Sequence, residues 1–196
     1  AYGYPELSKE HREAIRNGKR IAVPGCYATG FITIAYAMVA GGLLPKDYPV
    51  SAFAVSGYSG GGKKMIAEYE GEDRIAELSS PRQYALGQTH KHLKEMQVIS
   101  GVDLAPAFCP IVADFYSGME VTVPLFASDI KGSLEDIQQL YSSYYASGLV
   151  RSLNAADEAG LLSAAAYSGR DDMQVGAFGN ADRIILTARF DNLGKG

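Results

Sequence analysis

The sequence predicts an α+β fold, a mixed and largely antiparallel sheet with helices on one face. Three features carry this reading. Strand-like runs are interspersed with only a few helical ones. One helical stretch, 28–40, is apolar almost all round and so has to be buried. Apolar residues make up 47% of the 196 residues and charged ones 20%, which suits a substantial core and not disorder.

The elements follow in order. Pro5 to Asn17 reads as a short polar helix with Ser8 as its N-cap and Gly18 just past its end. Arg20 to Val23 reads as a short strand. The apolar helix from Ala28 ends at Gly41-Gly42. Val50 to Ser56 is β-prone and apolar, as a buried strand is. A glycine loop, Gly57 to Gly62, leads into a helix from Lys63 to Glu70, and 71–90 reads as a long functional loop. His92 to Ser100 is helical. Ala107–Ala113 and Met119–Phe126 read as strands paired with each other. Ser133 to Ala146 is a helix in which Ser133 and Asp136 form a loose capping box and Leu134, Ile137, Leu140 and Tyr141 an apolar face. Gln174–Phe178 and Arg183–Phe190 are strands around the turn Gly179-Asn180. The chain starts at Ala1 without Met and stops soon after its last strand, so the expectation is one domain, 1–196, of a longer protein.

Composition excludes several functions. The net charge is −4 and no basic stripe appears, which argues against nucleic acid and against a polybasic membrane anchor. The longest apolar run, Phe31 to Ala40, is too short to span a bilayer, and the N-terminus has no apolar signal segment. A cytoplasmic protein with reduced thiols is expected. Its two cysteines, Cys26 and Cys109, form no CxxC pair, and its paired histidines have no third ligand nearby, so no metal site is expected.

Cys26 lies in VPGCYATGF, just after a Pro-Gly turn and at the mouth of the apolar helix. Amide groups and the dipole at a helix N-terminus favour a thiolate, the competent nucleophile. Placement as a small buried hydrophobe is the competing reading. Cys109, mid-strand in AFCP, reads as core. Of the three histidines, His11 lies on a polar helix, while His90 and His92 share a face only if their segment is extended. The stretch Gly57 to Lys64 nearly matches a P-loop, but Lys64 stands where Ser or Thr would hold magnesium. A nest of backbone N–H groups flanked by Lys63 and Lys64 fits better, suited to a phosphate, a carboxylate or a cofactor edge. Arg82 and Tyr84 could add an anion clamp and a hydrogen-bond donor.

Taken together, PGCY with a small residue and Thr, then SGxSGxG, then HxHxxE over His90, His92 and Glu95, then a closing DNLxKG, resemble N-acetyl-γ-glutamyl-phosphate reductase, most of all its shorter, second-type branch. The resemblance implies a domain like the catalytic domain of glyceraldehyde-3-phosphate dehydrogenase and of semialdehyde dehydrogenases. A separate Rossmann NADP-binding domain and a C-terminal helix, both part of the family, are not in this stretch. It also implies NADPH-dependent reduction of N-acetylglutamyl 5-phosphate to the semialdehyde, with release of phosphate, in arginine biosynthesis. Cys26 would form a thioester, His92 would serve as acid/base with His90 as runner-up, and Tyr84, Arg82 and Lys63 would bind substrate. Ser56, Gly57, Ser59, Gly60 and Gly61 would border the cofactor, and the chain would assemble as a dimer or tetramer. The alternatives are a carrier-linked aminoadipyl phosphate as substrate, a cofactor-free cysteine hydrolase or acyltransferase using an acid such as Asp114, and a non-catalytic dimerisation module built on the MEVTVPLF and RIILTARF sheet face.

Overall fold

A computed structural model describes residues 1–156 and 159–195. Helix α1 (Lys9–Asn17) is capped by the Ser8 hydroxyl, which accepts from the His11 amide, and it ends at Gly18. Helix α2 (Cys26–Ala40) is buried along almost its whole length. A buried helix cannot carry unsatisfied polar side chains, and its two threonines solve this locally. Thr29 donates to the Gly25 carbonyl at 3.1 Å and Thr33 to the Thr29 carbonyl at 2.7 Å. Around them Phe31, Ile32, Ile34 and Met38 are fully buried, each contributing about 1.5–3 kcal/mol.

Strand β1 (Ser51–Gly57) leads through a 3-10 turn (Tyr58–Gly61) to α3 (Gly62–Glu70). The segment that follows is not all loop: it holds a 3-10 turn (Ala76–Ser79) and a short strand β2 (Arg82–Gln83). Helix α4 (Leu93–Ser100), β3 (Ala107–Ala113), β4 (Met119–Phe126) and α5 (Leu134–Tyr144) come next, and the Ser133–Asp136 capping box is fully formed. The chain then adds β5 (Val150–Ser152), β6 (Met173–Gly179) and β7 (Arg183–Phe190). Arg20 to Val23 forms no strand. Only an isolated bridge joins Ala22 to Tyr2.

One seven-stranded sheet results, in the order β2-β3-β1-β4-β7-β6-β5. β1–β3 and β5–β6 are parallel, and the other four pairings are antiparallel. So β3 and β4 do not pair with each other, as the short 114–118 link suggests; β1 lies between them. The backbone explains this: Gly57, Tyr58 and Ser59 donate to the carbonyls of Gly118, Phe115 and Tyr116. The link is held over the end of β1 and cannot close a hairpin.

Helices α2 and α5 cover one face, α2 over β4 and β7 and α5 over β5 and β6, and α4 packs on α2. Alternate residues Val121, Val123, Leu186 and Ala188 point into that core and are fully buried. Cys109 is half-buried and stands opposite the exposed Phe53 in register, so it lies outside this core. Gly30, in the middle of α2, is where helix and sheet come closest. A Cβ there would lie 2.5 Å from Val121 Cγ2 and 2.8 Å from Phe190 Cε1. Gly30→Ala should therefore destabilise the fold by about 1–3 kcal/mol through overpacking, despite the better helix propensity of alanine. Urea unfolding would measure this, and equal or higher stability would contradict the close approach.

Candidate active site

Cys26 opens α2 behind Gly25, whose extended backbone (φ −73°, ψ 145°) occupies the N-cap position without a side-chain cap. The cap comes from another helix. Glu95 Oε1, on α4, accepts from the Gly25 amide at 3.0 Å and from the Tyr2 hydroxyl at 2.7 Å. One turn earlier His92, 7% exposed, sits at the N-terminus of α4 with its ring against Gly25. A Cβ on Gly25 would lie 2.2 Å from His92 Nε2. Only glycine at that position lets the imidazole press against the backbone next to the thiol.

The electrostatics differ from the expected thiolate. Burial pushes the Cys26 thiol up, and it outweighs the downward pull of the Tyr27 and Cys26 amides and of the Lys91 charge. The helix N-terminus supplies its donors, but desolvation is the larger effect. Burial, then the neighbouring His90 and Lys91, hold His92 down at about 4 from the ordinary 6.5. His90 is also lowered, again first by burial. Both imidazoles are neutral at pH 7. His90 Nδ1 accepts from the His92 amide at 3.2 Å, which places the ring proton on Nε2. His92 Nδ1 is buried with no hydrogen-bond partner among the described residues.

Tyr27 ties this corner together. Its ring packs against His90, His92 and Phe108 with centroids 5.7, 6.1 and 5.2 Å away. Its hydroxyl accepts from Tyr84 at 2.8 Å, and burial pushes Tyr84 up to about 12. A cavity of about 250 Å³ lies beside them, bounded by Tyr27, Tyr84, His90, Lys91 and the bare backbone of Gly60 and Gly61. The glycine loop is not an open nest, because the Gly57, Tyr58 and Ser59 amides are taken by the 115–118 carbonyls. Its shape is set by Asn192, which donates to Ser59 Oγ at 3.1 Å and accepts from the Gly118 amide at 2.8 Å. Asp191 accepts from the Leu193 and Gly194 amides and from Ser117 Oγ. Buried Ser56 donates to the Gly57 carbonyl and also lines the cavity.

The structure thus brings Cys26, His92, His90, Tyr84, Ser56, Gly57, Gly60 and Gly61 to one corner, with Ser59 behind the loop. Lys63 is exposed on α3 and does not line the cavity. Arg82 is turned to Tyr69, donating to its hydroxyl at 3.1 Å and lying 5.5 Å from its ring centre. Asp114 is ion-paired with Arg74, so it is not the third member of a Cys–His–Asp array. Among the described residues no group of three or more His, Cys, Asp or Glu could hold a metal ion. Sequence reasoning gave no role to Lys91, Glu95, Asp191 or Asn192, although each lies within or beside a motif it singled out.

This corner is the candidate site of a semialdehyde dehydrogenase type of domain. Residues 26–192 match the family model described as semialdehyde dehydrogenase, dimerisation domain, and the chain belongs to that family. The N-acetyl-gamma-glutamyl-phosphate reductases of Brucella ovis and Brucella canis are each 40% identical to it over 204 aligned residues, covering 100% of this chain and 66% of theirs. The chain therefore spans just under two thirds of the length of these relatives. Among solved structures, aspartate semialdehyde dehydrogenase from Francisella tularensis superposes with a TM-score of 0.69 at 15% identity, over 98% of this chain and 66% of that one. Aspartate semialdehyde dehydrogenase II of Vibrio cholerae complexed with ASA gives 0.68 at 17% identity, over 100% and 63%. These likenesses bear out the α+β fold.

The buried, neutral His92 makes stability depend on pH. Its folded pKa of about 4 lies below the ordinary 6.5, so the unfolded chain binds that proton more tightly. This group therefore costs stability progressively as pH falls from 6.5 to about 4 and adds nothing above that window. In His92→Gln the urea midpoint should fall less steeply over that range than in the parent. Identical slopes would contradict a desolvated His92.

Proposed function

We propose that this chain is the catalytic and dimerisation part of an NADPH-dependent N-acetyl-γ-glutamyl-phosphate reductase of arginine biosynthesis, acting in the cytoplasm. The observation that carries this is the junction at Gly25, where the neutral His92 ring meets the backbone that presents the Cys26 thiol. The 40% identity to reductases of that name gives the substrate class. Cys26 gives up its proton to His92, and its sulfur attacks the acyl carbon. The C–S bond forms, the bond from that carbon to the bridging oxygen breaks, and phosphate leaves with the electron pair. A thioester on Cys26 is the result. A nicotinamide dinucleotide, when bound, supplies the hydride that brings this acyl group to the aldehyde level. The side-chain-free wall of Gly60 and Gly61, which lines the cavity, would hold its edge. His92 then returns its proton to the oxygen that develops charge on the Cys26 adduct, and His90 Nε2–H and Tyr84 orient the acyl group. The same chain self-associates through the sheet face opposite the helices, where Phe53, Phe126 and Ile185 are 45%, 60% and 40% exposed. No described helix is long and apolar enough to cross a membrane.

Incubation with N-acetylglutamyl phosphate, intact mass and peptide mapping test the reading. An acyl adduct on Cys26 that is absent from Cys26→Ser is expected. A full-depth reaction at another residue, or acylation of Cys26→Ser at the parental rate, would sink it. In the full-length enzyme His92→Asn should slow turnover by about 10²–10⁴-fold, the usual loss for a general acid–base. A larger loss in His90→Asn would exchange the two roles.

A further inference from the structure

The cavity lined by Tyr27, the residue after Cys26, needs a cation if an anionic group is to leave there, and the residues expected to supply one do not. Arg82 donates to Tyr69 and does not line the cavity, and Lys63 lies out on α3. One cation lines the cavity among the described residues: Lys91, between the two histidines. A second cavity, of about 420 Å³, opens on the other side of the same corner, against Tyr2, Val23, Glu95 and Val98. Lys91 is the one residue that lines both. Its backbone is fixed on each side, by the His92 amide bonded to His90 Nδ1 and by the buried His92 ring against Gly25. Its side chain is exposed.

Resting on the acyl-phosphate reading above, we propose that Lys91 binds the phosphoryl group of the substrate and stabilises the phosphate as it departs. The charge that accumulates is on the bridging oxygen, as its bond to the acyl carbon breaks. An ammonium on a long flexible stem suits a dianion that has to be held and then released. The position supports this independently of the substrate, because the Lys91 charge acts on the Cys26 thiol and on both imidazoles. Glu95 lines only the second cavity, and its Oε1 accepts from the Gly25 amide and the Tyr2 hydroxyl. Lys94 lines only the second cavity.

Two measurements on this chain separate the proposal from the reading on which it rests. The first compares alkylation of Cys26 by iodoacetate and by iodoacetamide, which differ chiefly in charge. At low salt the iodoacetate-to-iodoacetamide rate ratio should fall about fivefold in Lys91→Met and stay near the parental value in Lys91→Arg. At about 1 M salt the difference should vanish. An unchanged ratio in Lys91→Met at low salt overturns the proposal, whatever acyl phosphates do. The second follows acylation of Cys26 by acetyl phosphate, expected to slow by about tenfold or more in Lys91→Met and to recover in Lys91→Arg. Equal acylation rates in parent and Lys91→Met also overturn it. A parent that alkylates readily but is never acylated refutes the acyl-phosphate reading instead, and the rate ratio then still decides whether Lys91 is an anion site.

Discussion

The hydrogen bond from the Gly25 amide to Glu95 is the contact on which the rest of the site depends. A helix N-terminus leaves amides without partners, and here the missing cap is supplied by a carboxylate 70 residues away in sequence. That choice fixes α4 against the mouth of α2. Glu95 and His92 are three residues apart on α4, so they share a face and reach the same glycine. One holds its N–H, and the other presses against its Cα. The burial of α2 against β4 and β7 then leaves Cys26 no freedom to move away.

Burial has an electrostatic consequence. Thiol and imidazole are both driven to their neutral forms. Two positive influences, a protonatable neighbour in His90 and the charge of Lys91, deepen the loss of basicity at His92. An anion beside Lys91 would offset part of that charge and raise the basicity of His92.

Much of the fold was legible in the sequence because its signals are local. Ser8, Ser133 and Gly18 marked helix ends through hydrogen bonds made within a few residues. The apolar stretch of α2 and the runs of β3, β4 and β7 announced their own burial. Strand order was not legible, because the insertion of β1 between β3 and β4 depends on amide-to-carbonyl bonds between Gly57–Ser59 and 115–118. β2 and β5, of two and three residues, are too short to carry a pattern. The site divided in the same way. Cys26, His90, His92 and Tyr84 stood out by residue type and spacing, whereas the raised thiol and the diversion of Arg82 to Tyr69 depend on depth and on a partner in another element.

The closing motif shows how such a site is kept open without being loose. Glycines at 57, 60 and 61 are needed because the backbone passes close to the 115–116 carbonyls, to Asn192 and to Met65. A loop so poor in side chains has little to hold its own shape, and its conformational entropy works against order. Order is imposed from outside. Asn192 spans Ser59 and Gly118, while Asp191 gathers Ser117, Leu193 and Gly194. The wall of the cavity thus stays bare on the side that faces His90 and Lys91 and is braced on the side that faces β7. A larger residue in the loop would meet the 115–116 carbonyls, Asn192 or Met65 before it could add rigidity.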